Sequence, residues 1–294
     1  MTNDTFNLNQ VRGKIDKKSV YMKSFSRRLN DLAIETNSRV CIGLDPQPSL
    51  MPVKDTFEFN KRIVESTFDV AAAYKPQMAF YEALGIPGLT ALEKSVQYIK
   101  DINPDTIIIG DCKRGDIGST ATAYAVAMFD VWDFDAITIN VYQGYDAVKP
   151  FLQYPERGVF VVCRSSNPSA TDFQDLHIAD HGGPHLFQEI ASAAERWDQL
   201  GNIGLVVGAT YPDEIKLLRD SHPKMPFLIP GIGAQGGDLK QSVTAGLDDV
   251  GGGILINSSR GIIYASESPI LFAEKAREAS VNLRDEINSI IESL

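Results

Sequence analysis

A chain of 294 residues with 44% hydrophobic residues is long enough for one large α/β domain or two small ones. Its net charge of −10 and pI near 4.9 leave no broad basic face for nucleic acid, and no apolar run is long enough to span a membrane. Residues 1–18 are polar, lack the apolar core of a secretory signal, and are expected to form a tail ahead of a single domain over 19–294.

In chain order, residues 19–36 read as a helix placed to close one end of the fold. Eight short, mostly β-branched apolar runs follow, at 40–44, 70–74, 106–109, 136–141, 159–163, 203–207, 227–229 and 253–256. Their near-continuous apolarity marks strands buried on both faces. Segments 56–68, 89–102, 119–131, 184–200, 212–221 and 237–245 supply crossover helices, and 269–294 a last outer helix with Pro269 in its first turn. This alternation predicts an α/β fold, a (β/α)8 TIM barrel with an extra N-terminal helix. An open doubly wound sheet would call for a glycine fingerprint after the first strand, and Gly43-Leu44-Asp45-Pro46 is not one.

In such barrels chemistry gathers at the C-terminal ends of the strands. Those ends carry Asp45, Lys75, Asp111 with Lys113, Asn140, then Arg164 with Ser165 and Ser166, then Thr210. Solvated loop ends account for Asn140 and Thr210. They do not account for Asp45, Lys75, Asp111 and Lys113, which abut buried apolar runs where an unpaired ion is costly. Alternation along the third strand turns Asp111 and Lys113 to one face and Cys112 to the other.

Strand seven runs into Pro230-Gly231-Ile232-Gly233-Ala234-Gln235-Gly236-Gly237-Asp238, and strand eight ends in Ser258-Ser259-Arg260-Gly261. Glycines admit an anion to backbone N–H groups, a helix N-terminus adds a favourable dipole, and Arg260 offers a two-pronged phosphate contact. His177, His181 and His185 have a spacing that invites a metal, but Gly182, Gly183 and Pro184 break any helix that would align them. The segment reads as a solvated loop, with a lid near the substrate as its functional alternative. Cys41, Cys112 and Cys163 sit in or beside strands and read as reduced core thiols of a cytoplasmic protein.

The run Asp111-Cys112-Lys113-Arg114-Gly115-Asp116-Ile117-Gly118-Ser119-Thr120 resembles the Asp-x-Lys-x-x-Asp-Ile-x-x-Thr signature of orotidine 5′-phosphate decarboxylases. Cys41 to Pro46, Tyr74-Lys75-Pro76-Gln77, Arg164 to Pro168, the glycine loop and Ser259-Arg260-Gly261 resemble further motifs of that family in the same order, over about residues 38 to 265. The Asp-Cys-Lys-Arg-Gly-Asp form is most similar to the type 2 bacterial subfamily.

The resemblance implies decarboxylation of orotidine 5′-monophosphate to uridine 5′-monophosphate in pyrimidine biosynthesis, without cofactor or metal. It implies a catalytic set of Lys75, Asp111, Lys113 and Asp116, with Lys113 protonating the C6 carbanion. It implies ribose contacts from Asp45 and Lys75, a pyrimidine contact from Ser166, and phosphate contacts from Gln235 and Arg260. It also implies a homodimer in which Asp116 and Thr120 complete the partner's site. Two rivals remain open on the residues. One is a magnesium-dependent sugar-phosphate enzyme of the same superfamily, which would carry Glu where this chain has Lys75. The other is a silent nucleotide-phosphate binder, which would have no need of Asp111 beside a substrate carboxylate.

Overall fold

The computed structural model describes residues 24–178, 183–232 and 237–294, so the 1–18 tail lies outside the described residues. Eight parallel strands close in sequence order: β1 (Val40–Leu44), β2 (Ala73–Pro76), β3 (Ile107–Arg114), β4 (Ala136–Ile139), β5 (Gly158–Arg164), β6 (Ile203–Val207), β7 (Phe227–Pro230) and β8 (Ile254–Ser258). β8 pairs with β1 through Cys41 and Asn257, which closes the barrel.

The expected helices form with shifted ends. α1 (Phe25–Glu35) precedes β1; α2 (Thr56–Thr67), α3 (Met78–Ala83), α4 (Gly85–Ile102) and α5 (Gly118–Val126) follow β1 to β3. α6 (Leu186–Trp197), α7 (Pro212–Ser221), α8 (Leu239–Gly246), the short α9 (Arg260–Ile263) and α10 (Phe272–Glu292) complete the outer ring. Pro269 lies before α10 rather than in its first turn. Residues 127–131, expected at the end of the fifth helix, instead form a π-turn.

Two cores divide the work. The larger lies between strands and helices. The smaller fills the barrel, where Cys41, Ala73, Ile109, Ala136, Phe160 and Leu255 meet Phe25, Leu29 and Leu32 of α1. α1 therefore closes the bottom, as the sequence predicts. The Phe25 ring is fully buried, stands edge-on to Phe160 at 5.8 Å, and fills the space that a side chain at Gly158 would need. Arg28 of α1 also reaches Asp135 at 2.7 Å.

Side chains alternate along each strand, so the residue two beyond each core position faces the next layer up. Lys75 lies two beyond Ala73, Asp111 two beyond Ile109, Thr138 two beyond Ala136, Val162 two beyond Phe160 and Asn257 two beyond Leu255. That layer floors the site.

Candidate active site

A cavity of about 490 Å³ opens at the C-terminal ends of the strands. Its wall is polar on the β1 to β4 side, where Asp45, Lys75, Gln77, Asp111, Lys113 and Thr138 face it. It is apolar opposite, where β5, β6 and β7 present Val162, Val206 and Leu228. Ser165, Ser166 and Asn167 line it after β5, and Pro230, Gly231, Ile232, Ser259 and Arg260 line it beyond β7 and β8. A flat, partly apolar ring with an anionic arm matches that division.

Asp111 is the hub. Lys75 Nζ donates to its Oδ2 at 2.8 Å and Gln77 Nε2 to the same oxygen at 2.9 Å. Lys113 Nζ donates to Oδ1 at 2.5 Å and the Thr138 hydroxyl to Oδ1 at 2.8 Å. Burial opposes ionisation of this carboxyl, but the Lys75 and Lys113 ammonium groups outweigh it and hold it well below the usual carboxylate range. Burial likewise works against a charged Lys75, and the Asp111 and Asp45 carboxylates outweigh that and push its ammonium above the usual lysine range. The two are thus a charged pair at neutral pH.

Lys113 differs from its partners in two ways. It is half-exposed where Lys75 is buried, and its φ is +43°, a left-handed conformation that few lysines adopt. The β3–β4 register shifts between Gly110 and Arg114, so a bulge carries the lysine. Despite the bulge, Asp111 and Lys113 share the cavity face, as alternation predicts.

At the rim, Gly43 is required by a close approach: a Cβ there would lie 1.8 Å from Ser259 Oγ. Among the described residues, the buried Asp45 Oδ1 and Asn257 Oδ1 accept no hydrogen bond. Buried acceptors left open on a cavity wall suit a hydroxyl-bearing ligand.

Of the residues singled out from the sequence, Lys75, Asp111, Lys113, Asp45, Ser166 and Arg260 come together here. Asp116 and Thr120 do not line the cavity; Asp116 Oδ1 accepts from the Ile117 amide and Thr120 is exposed on α5. Gln235 lies outside the described residues, as does His181.

Arg164, expected at the rim, is turned away from it. The β5–β6 register shifts between Val162 and Arg164, and the guanidinium lies buried 3.8 Å from the Tyr211 ring, paired with Asp175 at 3.1 Å. It braces the loop after β5 instead of facing a ligand.

The sequence alone does not mark Thr138 and Gln77 as site residues, since both are neutral and only their distance to Asp111 reveals them. The His177 and His185 rings lie 4.2 Å apart, tilted by 33°, across the base of their loop, and among the described residues no His, Cys, Asp or Glu cluster could hold a metal. All three cysteines are free and buried; burial pushes the Cys41 thiol up to about 12 and that of Cys112 to about 11, so neither is a nucleophile at neutral pH.

Comparison with known proteins converges on one family. The family model described as orotidine 5′-phosphate decarboxylase / HUMPS matches residues 38–276. An orotidine 5′-phosphate decarboxylase of Dehalococcoides mccartyi is 47% identical over 266 residues, covering 90% of this chain and 97% of that protein. The enzyme of the same name from Cupriavidus taiwanensis is 44% identical over 272 residues, 90% of this chain and 98% of that protein. Among solved structures, Leishmania donovani OMP decarboxylase superposes with a TM-score of 0.80 at 39% identity, covering 91% of this chain and 99% of that one. Leishmania donovani UMP synthase gives 0.82 at 40% identity, covering 92% of this chain; the present chain spans 57% of its length.

Proposed function

Because the chain belongs to the orotidine 5′-phosphate decarboxylase / HUMPS family, we propose that its rim cavity is where orotidine 5′-monophosphate loses carbon dioxide and that Lys113 supplies the replacing proton. The protein is a carboxy-lyase that forms uridine 5′-monophosphate in pyrimidine biosynthesis. The observation that carries the site assignment is Asp111, an anion fixed between two ammonium groups on the cavity floor.

The C6–carboxylate bond breaks with its electron pair left on C6, and carbon dioxide departs. Such a carbanion is poorly stabilised in water. A fixed ammonium at Lys113 offers positive charge where the negative charge develops and then passes its proton to C6. Solvent returns a proton to Lys113, which its half-exposed position permits. Asp111 lies beside the position of the substrate carboxylate, and that like-charge contact is relieved as carbon dioxide leaves. Lys75 keeps Asp111 ionised as this happens.

The remaining contacts follow the two sides of the cavity. The open Asp45 Oδ1 accepts from a ribose hydroxyl, and Lys75 serves the ribose beside it. Ser166 meets the pyrimidine, whose ring rests against the apolar wall. Arg260 takes the phosphate, with Gln235 as its companion. Grip on the distant phosphate supplies binding energy that holds the reacting end in place. Lys75 also separates this reaction from that of the metal-dependent relatives, since an ammonium stands where they use a carboxylate for magnesium.

The enzyme acts as a cytoplasmic homodimer. Free, buried thiols suit a reducing compartment. Asp116 and Thr120 lie outside the cavity of their own chain and serve the partner's.

The direct test follows the absorbance of orotidine 5′-monophosphate. Steady loss with release of uridine 5′-monophosphate is expected, undiminished by a chelator. Absence of turnover sinks the decarboxylase reading, and turnover abolished by the chelator and restored by magnesium returns the choice to the metal-dependent reaction.

A further inference from the structure

Asp111 has about four lone-pair directions, and each is filled. Two donors are charged, Lys75 and Lys113, and two are neutral, Gln77 and Thr138. Thr138 alone among them also touches the backbone of another member of the set: the Lys113 amide donates to its hydroxyl at 3.0 Å. The direction of the chain is settled by chemistry. An ionised carboxylate only accepts, so the hydroxyl proton lies toward Asp111 and an oxygen lone pair faces the Lys113 N–H.

Thr138 is 1% exposed and sits on β4 beside the bulge of β3. The bulge is tied to β4 by the Thr138 hydroxyl at Lys113, by the Asn140 amide, which donates to Arg114 O at 2.8 Å, and by Cys112 Sγ, which donates to Thr138 O at 3.3 Å. A left-handed lysine persists only where its surroundings over-determine it. When Lys113 swings its ammonium to C6, its grip on Asp111 Oδ1 is released, and Thr138 is the donor left on that oxygen.

Resting on the decarboxylase reading above, we propose that Thr138 is a positioning residue. It fixes the Asp111 carboxylate and the strained Lys113 backbone relative to one another, so that the anion stays put while the lysine delivers its proton.

The test compares Thr138→Val, which keeps the shape and removes the hydroxyl, with Thr138→Ser, which restores it. The Val form should lose about tenfold to a hundredfold in kcat, as expected for a bond to a charged group, with KM within about threefold. The Ser form should recover to within about threefold of wild type. Thr138→Ala, which introduces no clash, carries the same expectation should the Val form not fold. Uridine 5′-monophosphate, which lacks the carboxylate, should bind the Val and wild-type proteins alike in calorimetry. Thr106→Val, at a buried threonine just ahead of β3, should leave kcat unchanged.

Unchanged kcat in Thr138→Val, a rise confined to KM, or a loss that serine does not repair each overturns the proposal. A wild-type protein without turnover sinks the decarboxylase reading itself, a different outcome.

Discussion

At the residue scale the site is an argument about charge held in place. Lys113→Ala should lower kcat by at least about a hundredfold if Lys113 is the proposed proton donor and fixed positive charge. Retention of a tenth of the rate would remove Lys113 from that role. Circular dichroism should show the fold intact, since Lys113 is half-exposed. Arg260→Ala should raise KM far more than it alters the melting temperature.

The same pair sets an acid limit on stability. Asp111 has a depressed folded value, so its contribution is present above the unfolded value near 3.9 and is lost as pH falls toward the folded one. Lys75 has a raised value, so its contribution is full below about 10.4 and is lost as pH rises through the folded value. Melting temperature should therefore be flat across neutral pH as far as this pair decides it. The fall below about pH 4 should be shallower in Asp111→Asn, and equal slopes would show that the pair is not held as described. Asp45, Lys75, Asp111 and Lys113 were legible in sequence because charges at the ends of apolar runs are conspicuous. Thr138 and Gln77 were not, because a neutral donor is ordinary in sequence and gains meaning only at 2.8 or 2.9 Å from a carboxylate.

At the scale of elements, apolar runs located all eight strands, but pairing decided their ends. The run at 70–74 begins too early: the Val70 and Ala71 amides still bond back to Thr67 at the end of α2, and the amide of Ala72 is the first to cross to β1. β3 runs on through Arg114, past its apolar stretch, because β4 offers partners to the bulged segment. The second bulge, in β5, explains the misplaced Arg164; strict alternation from Val162 would have turned it inward. Sequence periodicity cannot register an extra residue that the partner strand does not share.

The elements are also tied by buried ions away from the site. Asp135, 4% exposed ahead of β4, meets Arg28 of α1 at 2.7 Å and accepts from the Ile108 amide of β3 at 3.0 Å; Arg157 and Lys100 lie within 3.6 and 3.9 Å. Its replacement by Ala leaves the Ile108 amide and Arg28 without their acceptor, while Lys100 and Arg157 keep Asp133 at 2.7 Å, and should cost about 1–3 kcal/mol in denaturant unfolding. Phe25→Ala should cost about 3–5 kcal/mol through the cavity it opens at the barrel bottom. In both variants KM should stay near wild type, since the cavity lies at the opposite ends of the strands.

At the scale of the molecule the fold separates stability from chemistry along the barrel axis. Aromatic and aliphatic side chains fill the lower barrel around α1, and one strand step above them the interior becomes charged on one side and apolar on the other. What this division leaves out is Asp116. It belongs to the same run of sequence as Asp111 and Lys113, yet it does not line the cavity they share, and Thr120 four residues on is exposed. If those two complete a neighbour's site, a Lys113→Ala subunit and an Asp116→Ala subunit have complementary defects. Each homodimer should be nearly inactive. A heterodimer of the two places both lesions in one site and leaves the other with an intact Lys113 and an intact Asp116. Mixed and reannealed subunits, purified on two different tags, should therefore recover up to about half the wild-type activity per dimer, because one of two sites is whole. Verified heterodimers that stay as inactive as the parents would show that Asp116 does not serve the partner's site.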